Sequence, residues 1–80
     1  MNESFALSRL TVGQSAYVTD IQHDPSMRRR LTDVGLIRGT QVTCLLRSPA
    51  GDPCAYLIRG AVIALRGRDA ARVQVRSAPV

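Results

Sequence analysis

Residues 40 to 66 read TQVTCLLRSPAGDPCAYLIRGAVIALR, and this stretch decides the fold. Gln41 to Arg47 is a run of β-branched and aliphatic residues that reads as a strand. Ser48-Pro49-Ala50-Gly51-Asp52-Pro53 is a turn, since proline presets φ and glycine accepts the left-handed region. Cys54 to Arg59 returns as a second strand. Gly60 gives a break or bulge, and Ala61 to Arg66 makes a third. If the hairpin turns about Gly51, Cys54 pairs near Arg47 and Cys44 near Leu57. The odd separation of 44 and 47 then sends the two sulfurs to opposite faces.

The β pattern continues on both sides. Val73 and Val75 face in while Arg72, Gln74 and Arg76 face out, a clean period of two. Arg68-Asp69-Ala70-Ala71 reads as a short turn before it, and Ser77 to Val80 as a frayed tail. Upstream, Ser15 to Ile21 alternates small or β-branched residues with polar ones, which predicts a strand. Ser8 is placed to cap a single turn through Leu10 to Val12, ended by Gly13.

One helix interrupts the strands. Asp24 suits the N-cap and Pro25 the first helical position, where its missing N–H costs nothing. Met27, Leu31 and Val34 fall on one narrow stripe. Arg28 and Arg29 point away from the stripe and Arg30 flanks it. Gly35 suits the left-handed residue that ends a helix, and Leu36 can fold back onto the last turn. A helix of barely three turns persists only when packed against something else.

These elements predict a mainly β chain. About five strands, with a short helix inserted after the first, form a small, partly open barrel that limits exposed sheet edges. The 80 residues make one domain over 1–80, with a core of about 8–76 and frayed termini. A chain of this size buries only about 60% of its unfolded surface, so stability is modest. With Phe5, Tyr17 and Tyr56 as the only aromatics, the core must be aliphatic.

Charge narrows the function classes. All eleven basic residues are arginine, and the net charge is +5. Codon usage can account for the absence of lysine but not for the clustering of Arg28, Arg29, Arg30 and Arg38. Arginine suits bidentate contact with carboxylates or phosphates. Catalysis is not expected: there is a single histidine, no meaningful carboxylate pair, no activated nucleophile and no phosphate loop, since Gly35 and Gly39 lack the lysine that would follow. No cofactor is implied. Cys44 and Cys54 lie ten apart, which fits no zinc spacing, and two reduced structural cysteines are expected. His23 and Asp24 are weak candidates for a surface metal contact. Nucleic acid is disfavoured, because small barrels that bind single strands stack bases on aromatic residues that this chain lacks. A protein-interaction module remains, its arginines matched to an acidic partner. The opening ten residues carry no basic leader, and the Gly60 to Leu65 apolar run is too short to span a bilayer. The expectation is a soluble, cytoplasmic protein, and a small barrel with open edges can also self-associate.

Three motifs, taken in order, resemble a known family. They are Arg28-Arg29-Arg30-Leu31 with Val34-Gly35-Leu36 and Gly39-Thr40; Ser48 to Pro53; and Arg59-Gly60-Ala61-Val62-Ile63-Ala64-Leu65-Arg66 with Ala70. The set resembles FeoA, the small component of bacterial ferrous iron uptake, from about Leu10 to Val75. The resemblance implies an SH3-like barrel and a freestanding adaptor or regulator that binds the cytoplasmic part of the FeoB-type membrane transporter, reaching the membrane through that partner only. It departs from the family pattern at Ala50, where leucine is common, and at Arg38, where proline is frequent. Partner contact is expected from Arg28, Arg29, Arg30 and Arg38, with the hairpin tip Ala50, Gly51, Asp52 and Pro53 as a second surface. Leu31, Val34, Gly35, Leu36, Gly39 and Gly60 are expected to be scaffold. The alternative is a metal-responsive or nucleic-acid-associated barrel module.

Overall fold

A computed structural model describes residues 3–79. Six antiparallel strands form one sheet: β1 (Phe5–Ala6), β2 (Ser15–Ile21), β3 (Gln41–Arg47), β4 (Cys54–Ile58), β5 (Ala61–Leu65) and β6 (Val73–Arg76). Two helices interrupt them, α1 (Pro25–Asp33) and the single turn α2 (Gly67–Ala70). The sheet order is β1-β6-β2-β3-β4-β5. Its two edges, β1 and β5, do not pair with each other, so the sheet stays open.

Five of these strands coincide with the alternating and apolar runs of the sequence. The sixth is new. Phe5–Ala6 pairs with Val75 and Gln74 of β6, which makes six strands and places α1 after the second rather than the first. Two residues carry no readable periodicity; only the partner strand defines them. The turn expected at Leu10 to Val12 lies instead at Leu7–Arg9, as one turn of 3₁₀-helix that Ser8 does not cap. The apolar side chains decide this, because Leu7 and Leu10 are both fully buried. Gly13, with φ +89°, closes the following turn. Of the expected frayed ends, Met1, Asn2 and Val80 lie outside the described residues.

The core is aliphatic apart from Tyr56 and the two cysteines. Val18, Val42, Ile58, Val73 and Val75 fill it from the strands, with Leu31 and Leu36 supplied by the helical segment. Burying a side chain of this size stabilises by about 1.5–3 kcal/mol, so these residues, not the short helix, hold the chain together.

The cysteines correct the register. Arg47 does pair with Cys54, but Cys44 pairs with Tyr56, because Leu45 is an extra, bulged residue in β3. The bulge reverses the parity, so Cys44 and Cys54 both face the core instead of opposite sides. Both are free thiols. Burial pushes the Cys44 thiol above its ordinary value, with Cys54 adding to the effect. The Tyr56 phenol is raised further, again chiefly by burial, with Cys54 and Cys44 contributing.

Candidate partner-binding site

Helix α1 is fixed at both ends by its own sequence. The Asp24 Oδ1 accepts the N–H of Met27 at 2.8 Å, and Pro25 occupies the first turn. At the other end the N–H of Leu36 bonds Leu31 O and that of Gly35 bonds Thr32 O, both at 2.9 Å. This is the paired-bond helix stop that a left-handed glycine permits, and Gly35 has φ +104°. Leu31 and Leu36, brought together by it, are buried. Val34 is not: it is 37% exposed, so the stripe docks through Leu31 and the half-buried Met27 and leaves Val34 outside. Gly39 (φ +90°) then hands its N–H to Val18 O at 2.8 Å and leads the chain into β3. Gly60 is the break rather than the bulge of the two readings: with Arg59 it forms the two-residue turn between β4 and β5, both residues having positive φ.

The arginine cluster of the sequence does not stay together. Arg28 donates from Nη1 to Ile21 O at 2.7 Å, tying α1 to the end of β2. Arg38 reaches Thr19 O of the same strand at 3.5 Å, and it shares a shallow groove of about 510 Å³ with Arg59 and Leu57. Arg47, outside the cluster, ties β3 to Leu10 O at 3.2 Å. Arg29 stays on the exposed face of the helix.

Arg30 turns the other way and gains partners that sequence reasoning missed. It lines a groove of about 420 Å³ between α1 and the edge strand β5, together with Arg66 and Arg68. Met27, Leu31 and Val34 form the helical wall, and Ile63 and Leu65 face them from the strand. Asp69 is the only acid there. A groove lined by apolar residues and three arginines can take an acidic, partly apolar segment, since arginines pair with carboxylates through two parallel bonds. The signal in the sequence was the Arg66-Gly67-Arg68 triplet, which lies far from Arg30 along the chain and meets it only through the fold.

The hairpin tip is exposed, as expected, but it is not free. Asp52 Oδ1 accepts the N–H of Gly67 at 2.7 Å, so the tip braces α2. Ala50, Gly51 and Pro53 make up its exposed remainder. His23 is also occupied: its Nε2 lies 2.8 Å from Asp69 O and must donate to it. Asp24 caps the helix through its Oδ1, so the fold engages one polar atom of each weak metal candidate and leaves His23 Nδ1 and Asp24 Oδ2 outside these bonds. Among the described residues, no three His, Cys, Asp or Glu side chains come together to hold a metal.

A family model described as the FeoA domain matches residues 5–77. The chain belongs to the FeoA family. A solution structure of FeoA from Chlorobium tepidum superposes with a TM-score of 0.87 at 36% identity, over 91% of this chain and 70% of that one. Stenotrophomonas maltophilia FeoA, crystallised with zinc and described as a prokaryotic SH3 domain protein and candidate activator of ferrous iron transport, gives 0.79 at 32% identity, over 89% and 88%. A Porphyromonas gingivalis protein in which Fe(2+) transport protein A is fused to the transporter FeoB is 30% identical over 86% of this chain. The chain spans 8% of the length of that curated relative. FeoA proteins are thus linked to ferrous iron transport, and the fusion associates the domain with a FeoB-type transporter. Among the described residues of this FeoA chain, no helix is long and apolar enough to cross a membrane.

Proposed function

We propose that this FeoA-family chain is a non-enzymatic, cytoplasmic adaptor with an SH3-like, partly open barrel, and that it binds the cytoplasmic region of a FeoB-type ferrous iron transporter. The observation that carries the reading is the fusion of the two proteins into one polypeptide in a relative 30% identical to this chain. Fusion of the two in one organism supports their association as separate chains in another. The groove between α1 and β5 is the contact surface. Its three arginines and its apolar wall supply the hot-spot chemistry that small interfaces depend on.

The exposed part of the original cluster contributes too. Arg29 on the outer helix face adds charge for encounter with an acidic surface, while Arg28 and Arg38 serve the fold first. The hairpin tip is a second surface, narrowed to Ala50, Gly51 and Pro53 by the use of Asp52 within the chain.

A pull-down of the transporter's cytoplasmic region at moderate salt tests the reading. Retention by the wild-type chain, weakened by Arg29→Glu with Arg30→Glu, supports it; a folded wild-type chain that retains no transporter refutes it. A metal-responsive role is the second reading, favoured by the zinc in the Stenotrophomonas maltophilia structure. Calorimetry with Fe²⁺ or Zn²⁺ showing stoichiometric binding, lost on His23→Ala, is the result that would promote it.

A further inference from the structure

The edge strand β5 reads Ala-Val-Ile-Ala-Leu and carries no charge, proline or bulge. An edge in that state is a template for another strand, and proteins ordinarily guard it with charges, proline or extreme shortness. The opposite edge, β1, has the last of these protections, being two residues long. β5 has none.

The register shows which backbone groups are open. Ile58 and Ala61 pair directly across the Arg59-Gly60 turn, whose residues have φ of 49° and 82°. In such a two-residue hairpin the flanking pair exchanges hydrogen bonds, and the ladder alternates from there. Ala61, Ile63 and Leu65 therefore bond to β4, while the N–H and C=O of Val62 and Ala64 point away from the sheet.

Of these two, Ala64 lines the groove between β5 and α1, together with Ile63 and Leu65. A strand laid along β5 bonds to Val62 and Ala64, rests alternate side chains against Met27 and Val34, and meets Arg30, Arg66 and Arg68 of the groove. We infer that β5 and α1 form a strand-addition site for an extended, acidic segment of a partner protein with apolar residues at alternate positions. This rests on the adaptor reading, which leaves open how the partner is held. A second copy of the chain is the other natural occupant of a free edge. Two-fold antiparallel pairing of β5 with itself about Ile63, however, brings Arg66 of each copy beside the Arg59-Gly60 turn of the other, like charge against like charge in a chain of net charge +5. Charge favours the acidic strand.

The test is NMR-detected amide exchange on the whole chain, with and without the synthetic peptide acetyl-Asp-Val-Glu-Val-Glu-Val-Asp-amide. In the free protein Ile63 and Leu65 are protected while Val62 and Ala64 exchange. Peptide slows Val62 and Ala64 by about tenfold or more. Arg66→Glu with Arg68→Glu weakens the peptide by about fivefold, as exposed charge pairs allow. Ala64→Pro removes one outward N–H and abolishes binding; if that variant fails to fold, the wild-type exchange pattern decides. Peptide bound without protection of Val62 and Ala64, or no binding at millimolar peptide, overturns the site. Protection of the same amides that rises with protein concentration alone overturns the acidic occupant in favour of a second copy. If the transporter region binds the Ala64→Pro and arginine variants as well as wild type, strand addition fails and the adaptor reading stands. If that region does not bind at all, the adaptor reading fails, and peptide protection alone sustains the site.

Discussion

Arg28 holds the carbonyl oxygen of Ile21 at 2.7 Å, so the first arginine of the cluster is a strut between α1 and β2. The bond lies at a partly buried carbonyl, and a net contribution of about 1 kcal/mol is appropriate. Arg28→Ala should therefore lower the melting temperature by about 4–8 °C in a domain of this size. Arg29→Ala, on the exposed face, should stay within about 0.5 kcal/mol of wild type. Thermal unfolding by circular dichroism separates the two; equal melting temperatures would show that Arg28 bears no structural load.

A Cβ on Gly35 would stand 2.6 Å from Arg59 Cδ, at a φ of +104°. The arginine side chain can swing aside, but the backbone cannot change sign without undoing the helix stop. Gly35→Ala is expected to cost about 1–3 kcal/mol in urea unfolding. Removing the clash as well, in Gly35→Ala with Arg59→Ala, should recover only a minor part of the loss. Full recovery would assign the cost to crowding rather than to φ.

Asp52 accepts the Gly67 N–H at 2.7 Å and so links the hairpin tip to α2. Asp52→Ala should destabilise by about 1 kcal/mol, as loss of a helix cap does, and Asp52→Asn by less. Transporter retention by the folded Asp52→Asn chain should match wild type. A stable variant with lost retention would move the partner surface to the tip.

The buried thiol and phenol predict an alkaline limb in the stability curve. Burial raises Cys44 and Tyr56 in the folded state, so the unfolded chain loses these protons first as pH climbs. With fewer protons bound in the unfolded state, stability falls with rising pH, beginning near the ordinary values of about 8.5 and 10. Below that range both groups are neutral in either state and contribute no slope. Urea midpoints at pH 7, 9 and 10.5 should decline in order, and Cys44→Val should flatten the first part of the decline.

Much of the fold was legible because its signals are local. Asp24-Pro25 announced the helix start, Gly35 its stop, and the alternation of Val73 and Val75 its strand, and each stands in the structure as read. What escaped is non-local. Phe5–Ala6 is a strand only because β6 lies beside it, and the bulge at Leu45, which turns both cysteines inward, has no marker in the sequence. The site divides in the same way. The cluster at 28 to 30 was visible as charge, but the assignment of each guanidinium depends on the nearest carbonyl or groove. Arg28 went to Ile21, while Arg30 went to Arg66 and Arg68, more than thirty positions along the chain.

The groove between α1 and β5 is tested most directly by calorimetric titration of the transporter's cytoplasmic region with the wild-type chain, Arg30→Glu with Arg66→Glu, and Arg9→Glu as a charge control outside the groove lining. The double variant is expected to bind about tenfold or more weakly, as reversing two groove charges allows, while Arg9→Glu stays near wild type and all three melt alike. Equal weakening by the control, or undiminished binding by the double variant, would contradict the groove as the contact surface.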